Sequence, residues 1–386
     1  MTALPANEVP EPNPGMAPPA ESGSPLTHNR RSLAALTGIR FIAAMQVVFV
    51  HHGAGFVARL YAAAPMVDLG WLAAWNALTF FFLLSGFILT YTYTGQMSAQ
   101  GSWRRFWEAR FARVYPVYLL ALLLSYPFSR PGLKPALACL FMVQTWDPFH
   151  PGRAMAWNFT AWSLSCEAFF YLIFPWLLAA MVHLRLKHLR ILIAVTALFI
   201  VFGHTTLAEP EQIHTAWIAA LFRWTPTPLR RLPEFVLGIG LGLHYLRSGR
   251  QQAHAWLLWT AIVAELVLLA TLHGPWISLL VIPDAVLLYE LAYGGTLVAR
   301  FLSIRVMLVL GGASYAIYLM QFPVRNMLGD ALTRFTPQWA GSASALLYPL
   351  LLIAFSTAVF LWFEEPTRRG LRRWFARREA QAPRAN

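Results

Sequence analysis

Residues 33–52 read LAALTGIRFIAAMQVVFVHH, an apolar run of the length a helix needs to cross a bilayer. Comparable runs follow near 71–93, 111–128, 160–182, 189–207, 230–246, 255–273, 276–298, 306–328 and 343–363. Lipid offers a peptide group no hydrogen-bond partner, so such a chain is restricted to helices or a closed barrel. These runs are continuous rather than alternating, which rules out barrel strands. The expected fold class is all-α: a polytopic membrane protein of about ten transmembrane helices. Composition agrees, with 58% hydrophobic and 12% charged residues in 386, against about a quarter charged in soluble domains. A typical soluble enzyme and a disordered chain are both excluded.

The formal charge of +13 is explained by where the basic residues fall. Arg30 and Arg31 precede the first run. Arg104, Arg105, Arg110 and Arg113 stand between the second and third, and Arg247, Arg250, Arg300 and Arg305 occupy later connections. Lys and Arg accumulate in cytoplasmic loops, so both termini are placed in the cytoplasm and no nucleic-acid partner is expected. Residues 133–146 are apolar but too short to cross. If they did, Arg185, Lys187 and Arg190 would face outward, so this stretch is read as one short re-entrant or interfacial helix. Residues 1–30 form a disordered cytoplasmic leader without signal-peptide character, 31–366 the membrane domain, and 367–386 a basic tail suited to the anionic inner leaflet. The lipid bilayer is the one partner this pattern implies directly. Cys139 and Cys166 stand in apolar sequence with no metal-ligand spacing, so neither a disulfide framework nor a metal site is expected.

Ionisable groups inside spans are costly and usually face a protein interior or a wet cavity. Arg40 and His51 lie eleven residues apart in the first run. In an α-helix that is close to three turns and roughly 16 Å of rise, so both point the same way. The simpler readings are that Arg40 snorkels to the headgroups and that His51 is an interfacial histidine. His52 points about 100° away. Glu167 lies within another span, where it either orients His51 or pairs structurally. Ser85 and Gly86 permit close helix approach, a reading preferred to Ser85 as nucleophile because no base is identifiable for it. Glu364 is read as interfacial, and Asp284 and Glu290 carry no assignment.

Several stretches together carry a resemblance: LTGIRFIAAMQVVFVHH, FFFLLSGFILT, RFARVYPVYLL, WSLSCEAFFYLIFP, GGASYAIYLMQFPV and FEEPTRR. In this order the chain resembles the acyltransferase-3 family of integral membrane O-acyltransferases, which modify O-antigens, exopolysaccharides, Nod factors and macrolides. The first stretch matches the family's R-x10-H pattern at Arg40 and His51. The third matches its R-x-x-R segment at Arg110 and Arg113, and the fourth its Trp-Ser-Leu-Ser-x-Glu motif at Trp162, Ser163 and Glu167. Two positions depart: Thr79 stands where many members have an acid, and Gln321 where many have a histidine. The Thr79 variant leans toward the macrolide and small-glycan branch.

The resemblance implies a bacterial inner-membrane enzyme moving an acyl group, acetyl in the first instance, from cytoplasmic acyl-CoA to a hydroxyl of a carbohydrate or glycolipid. It implies His51 as the base, with Arg40 and Glu167 completing the catalytic group. Arg110 and Arg113 are implied to hold the phosphates of acyl-CoA, a role guanidinium pairs suit, although plain positive-inside anchoring explains most such arginines. The alternatives are a macrolide or small-glycoside acceptor, or a transporter, which inverted repeats would favour and of which the sequence shows none. A sensor or scaffold, with these residues only structural, is the third reading.

Overall fold

The structure is a computed structural model that describes residues 33–53, 65–97, 102–207, 226–272, 274–335 and 340–381. Among these residues every regular element is helical. Helix α1 (Ala34–Val48) runs into a π-helical turn, Phe49–Gly53. There follow α2 (Pro65–Tyr93), α3 (Ser102–Ser129), the short α4 (Leu133–Leu140), α5 (Ala161–Met181) and α6 (Leu186–Leu207). The second half holds α7 (Leu232–Arg247), α8 (Ala255–Thr271), α9 (Val281–Tyr293), α10 (Leu297–Leu302), α11 (Arg305–Phe335) and α12 (Ala340–Val359). A second π turn, Phe360–Glu364, leads into α13 (Glu365–Gln381). Among the described residues eight helices are long and apolar enough to cross a membrane. The other two expected spans correspond to the 17-residue α8 and the 16-residue α7, which are shorter than those eight; α7 is sheathed by α2 and α6. The protein is thus an all-α, multi-pass membrane protein. The leader, with Arg30 and Arg31, lies outside the described residues.

Two boundaries differ from the sequence reading. Helix α3 begins at Ser102, nine residues before the apolar run. No Gly or Pro interrupts residues 102–115, and an i,i+4 pair between Arg104 and Glu108 (2.8 Å) supports the added turns. The basic stretch taken as a loop is therefore helix. The tail likewise continues the last span through the second π turn, and none of α13 is buried.

Glycines set the closest crossings. A Cβ at Gly86 would overlap the Phe235 carbonyl of α7, and one at Gly238 the Leu83 carbonyl of α2. Gly38 lets α1 meet the Leu302 carbonyl of α10, and Gly311 lets α11 meet the Thr37 carbonyl of α1, in the same way. Without a hydrophobic drive between helices in lipid, such backbone contact is what holds them. Prolines add gaps that side chains fill. Pro175 cannot donate to the Tyr171 carbonyl, which instead accepts from Trp107 Nε1 at 3.0 Å. Pro323 leaves the Leu319 carbonyl open, and Asn158 Nδ2 donates to it at 3.1 Å.

The 133–146 segment dips into the bundle. Tyr118 OH donates to the Cys139 carbonyl at 2.7 Å. Tyr118 lies eleven residues before the end of α3, roughly 16 Å down its axis. Gln144 then donates to the Ala161 carbonyl at 2.9 Å, so α5 starts at the same depth. This depth matters for function because it sets Ser163 and Glu167 of α5 in mid-bundle.

Candidate active site

Helices α1, α2, α3, α5 and α11 enclose a cavity of about 150 Å³. Arg40 enters it from α1, Arg110 and Arg113 from α3, Ser85 from α2, and Glu167 from α5. The spacing of the α5 motif explains part of this. Ser163, Glu167 and Tyr171 are four apart and share one helix face, and all three line the cavity. Glu167 Oε1 accepts from Ser85 Oγ at 3.2 Å and from Tyr171 OH. It also lies within electrostatic reach of Arg40.

The arginines are held differently from one another. Arg110 Nη2 donates to Tyr93 OH at 3.2 Å, and its guanidinium lies 5.6 Å from the Tyr93 ring centre and 6.0 Å from that of Tyr171. Its buried Nε has no hydrogen-bond partner in the structure. Arg113 forms a buried ion pair with Glu364 of the second π turn. Glu364 is therefore an interior counter-charge, not the interfacial group the sequence suggested, because the π turn directs it inward onto α3. Three guanidiniums thus face the cavity against the one lining carboxylate. An anion or a polarised carbonyl is the natural guest of that arrangement.

His51 is not a lining residue of the cavity. It stands on the π turn, where the 3.6-residue period that put it on one stripe with Arg40 no longer holds. Its Nδ1 lies 3.0 Å from Gln321 Oε1, and its ring meets Phe159 edge-on at 5.5 Å and Phe322 at 5.9 Å. One turn earlier on α11, Tyr318 OH pairs with Ser163 Oγ at 2.7 Å, and both residues line the cavity. Gln321, the partner of His51, therefore lies one turn along α11 from a residue of the cavity.

The family model described as an acyltransferase domain matches residues 33–365. The chain belongs to the acyltransferase-3 family. A relative, the acyltransferase MdmB of Streptomyces mycarofaciens, is 31% identical over 362 residues, covering 83% of this chain and 87% of that protein. No solved structure matches. The protein is thus a membrane acyltransferase, and the transporter, sensor and scaffold alternatives fall away.

In this acyltransferase-3 protein the structure brings Arg40, Arg110, Arg113 and Glu167 into one cavity and leaves His51 outside its lining, linked to α11 through Gln321. Of the two roles left open for Glu167, its contacts are with Ser85 and Tyr171, not with His51. Ser85 agrees with its packing reading, since Gly86 beside it makes the backbone crossing, and its hydroxyl donates to a carboxylate the sequence did not pair with it. The departures also acquire partners. Thr79 Oγ1 accepts from Arg231 Nη2 at 3.0 Å, and Gln321 meets His51. Glu290 pairs with Arg250 and accepts from the His254 amide at 2.7 Å. Asp284 is buried beside Asn76, which donates to Glu265. Tyr171 and Tyr318 were the site residues not singled out, although i,i+4 and i,i+3 spacing from Glu167 and Gln321 marked both.

Proposed function

We propose that this acyltransferase moves an acyl group, acetyl in the first instance, from cytoplasmic acyl-CoA to a carbohydrate hydroxyl, in a bacterial inner membrane. The observation that carries the reading is the arginine-faced cavity, with a histidine held by Gln321 one helical turn along α11 from the cavity residue Tyr318. Drug-sized sites occupy about 300–1,000 Å³. A cavity of about 150 Å³ therefore takes the acyl-thioester end of a donor, while the nucleotide end stays at the basic mouth with Arg110 and Arg113. Arg40 faces the carbonyl and offsets the charge that develops on its oxygen. His51 takes the proton of the acceptor hydroxyl, whose oxygen attacks the thioester carbon; the C–S bond breaks and the thiolate that leaves takes up that proton from the imidazolium. Glu167, held by Ser85 and Tyr171, fixes the local charge around Arg40.

The surroundings of His51 favour one refinement of the acceptor. Phe159 and Phe322 flank its ring, and Tyr348 packs on the adjoining His52 at 4.8 Å. Aromatic faces suit the apolar side of a sugar ring, as on a small glycoside or macrolide.

The test supplies labelled acetyl-CoA to membranes containing the enzyme or its His51→Ala variant and follows label into glycan and glycoside fractions. His51→Ala is expected to lower transfer by roughly 10²–10⁴-fold; intact transfer would remove His51 as the base. Reversing charge at Arg110 and Arg113 together is expected to raise the donor KM at least tenfold, and an unchanged KM would remove that assignment.

A further inference from the structure

We propose that Gln321 is a positioning residue that fixes the tautomer of His51, leaving Nε2 as the nitrogen that takes the acceptor proton. The inference rests on His51 being the base, and adds which of its atoms acts and what makes it so. Gln321 is fully buried, and its amide is oriented from one side only. Its Nε2 donates to the Tyr318 carbonyl at 2.8 Å. A carbonyl accepts and never donates, so the amide nitrogen must face Tyr318 and the amide oxygen must face the histidine. That oxygen is 3.0 Å from His51 Nδ1. An amide oxygen in turn demands a hydrogen on Nδ1, and a neutral imidazole protonated there carries its lone pair on Nε2.

The backbone around Gln321 is held as firmly as its side chain. Tyr348 OH donates to the Gln321 carbonyl at 3.0 Å, and Asn158 caps the Leu319 carbonyl that Pro323 leaves open. The turn 318–321 thus joins the two halves of the site. Tyr318 closes the cavity through its hydroxyl and orients Gln321 through its carbonyl. An amide does for the imidazole what a carboxylate does elsewhere in histidine catalysis, except that it brings no charge. The titratable and charged groups near the pair include His52, with its ring centre 6.0 Å from that of His51, and Arg325 and Tyr348 beside His52.

The experiment uses the full chain in nanodiscs, with ¹⁵N-labelled histidine and the His51 signals identified by their loss in His51→Asn. The wild type is expected to show His51 protonated on Nδ1. Gln321→Leu, which has no acceptor, is expected to lose that tautomer, and Gln321→Glu to retain it. Protonation on Nε2 in the wild type, or no change in Gln321→Leu, overturns the proposal. In parallel, transfer of label from acetyl-CoA by membranes is measured against pH. Gln321→Leu is expected to lower kcat roughly 10²-fold with the donor KM within about twofold. Gln321→Glu is expected to rescue much of that loss, with the acid limb of its pH profile moved to higher pH, because a carboxylate stabilises the imidazolium. A Gln321→Leu enzyme with wild-type kcat and pH profile overturns the proposal. Should that variant not fold, the isosteric Gln321→Glu profile decides alone, and an unmoved acid limb refutes it. Intact transfer by His51→Ala would instead sink the base assignment, an outcome the tautomer measurement does not share.

Discussion

Breaking the Arg113–Glu364 pair tests how charge is balanced around the cavity. Glu364 is 2% exposed, and Arg113 sits within electrostatic reach of Arg40, Arg110 and Arg368. Removing one partner of a buried pair costs about 3–5 kcal/mol, because the other charge stays buried and uncompensated. Glu364→Leu leaves Arg113 among like charges and should reach the upper end of that range. Arg113→Met strands a carboxylate but thins the arginine cluster, so its loss should fall at the lower end. At about 2–4 °C per kcal/mol these losses correspond to roughly 6–20 °C in Tm. The double variant removes both charges and should recover to within about 1 kcal/mol of the wild type. The assay is thermal unfolding in detergent, followed by size-exclusion of the heated protein. A double variant as unstable as Glu364→Leu would refute the coupling, and equal single losses would refute the role of the neighbouring arginines. The double variant should still show a raised donor KM, since Arg113 faces the cavity whether or not it is paired.

Three further outcomes follow from the packing and the outer loop. Gly86→Val drives a side chain into the Phe235 carbonyl and should cost at least about 1–3 kcal/mol, seen as lost monodisperse protein, whereas Ser85→Ala should keep the fold. Asn158→Leu uncaps the Leu319 carbonyl beside Pro323; a loss of about 1–3 kcal/mol in thermal unfolding is expected, and wild-type stability would show that another group fills the gap. At the outer loop, the hydrogen bond from His150, then the Phe149 amide and Arg153, hold the Asp147 carboxyl below its ordinary 3.8. A depressed carboxylate stabilises its loop above that pH and ceases to as pH falls through its folded value. Hydrogen exchange across 147–155, corrected for intrinsic rates, should therefore lose protection on acidification below 3.8, while Asp147→Asn should be unprotected throughout.

Much of this was legible in the sequence because lipid allows so few solutions. Continuous apolar runs dictated helices, and the sorting of arginines separated 133–146 from the true spans. The Glu167 motif was legible too, since spacing by four puts Ser163, Glu167 and Tyr171 on one face. The relation between Arg40 and His51 was not. Three turns of ideal helix put them on one stripe, but the π turn at Phe49–Gly53 breaks the period, and no residue type announces a π turn. Partners across helices were equally hidden. Gln321 read as the loss of a histidine, when it is the group that holds one, and Glu364 read as interfacial because the bend that turns it inward lies in its own backbone.

The distribution of charge separates the cavity from the rest of the interior. Arg231 meets Glu234 at 3.2 Å, Arg250 meets Glu290, and Arg113 meets Glu364, so each of these cations is balanced by an acid brought to it. Arg40 and Arg110 face a different environment. The lining carboxylate, Glu167, already accepts from Ser85 and Tyr171, and Arg110 retains a buried N–H with no acceptor. Leaving a buried guanidinium short of acceptors lowers stability by an amount that closer packing or one more acid would avoid. Acids balance Arg113, Arg231 and Arg250, whereas surplus positive charge is held around the cavity, which on the proposed reading suits a negative guest. On that reading the cost of the surplus is offset when the donor binds, so the arginines should matter to binding more than to folding. That is why Arg110, rather than the paired Arg113, is expected to dominate the donor KM.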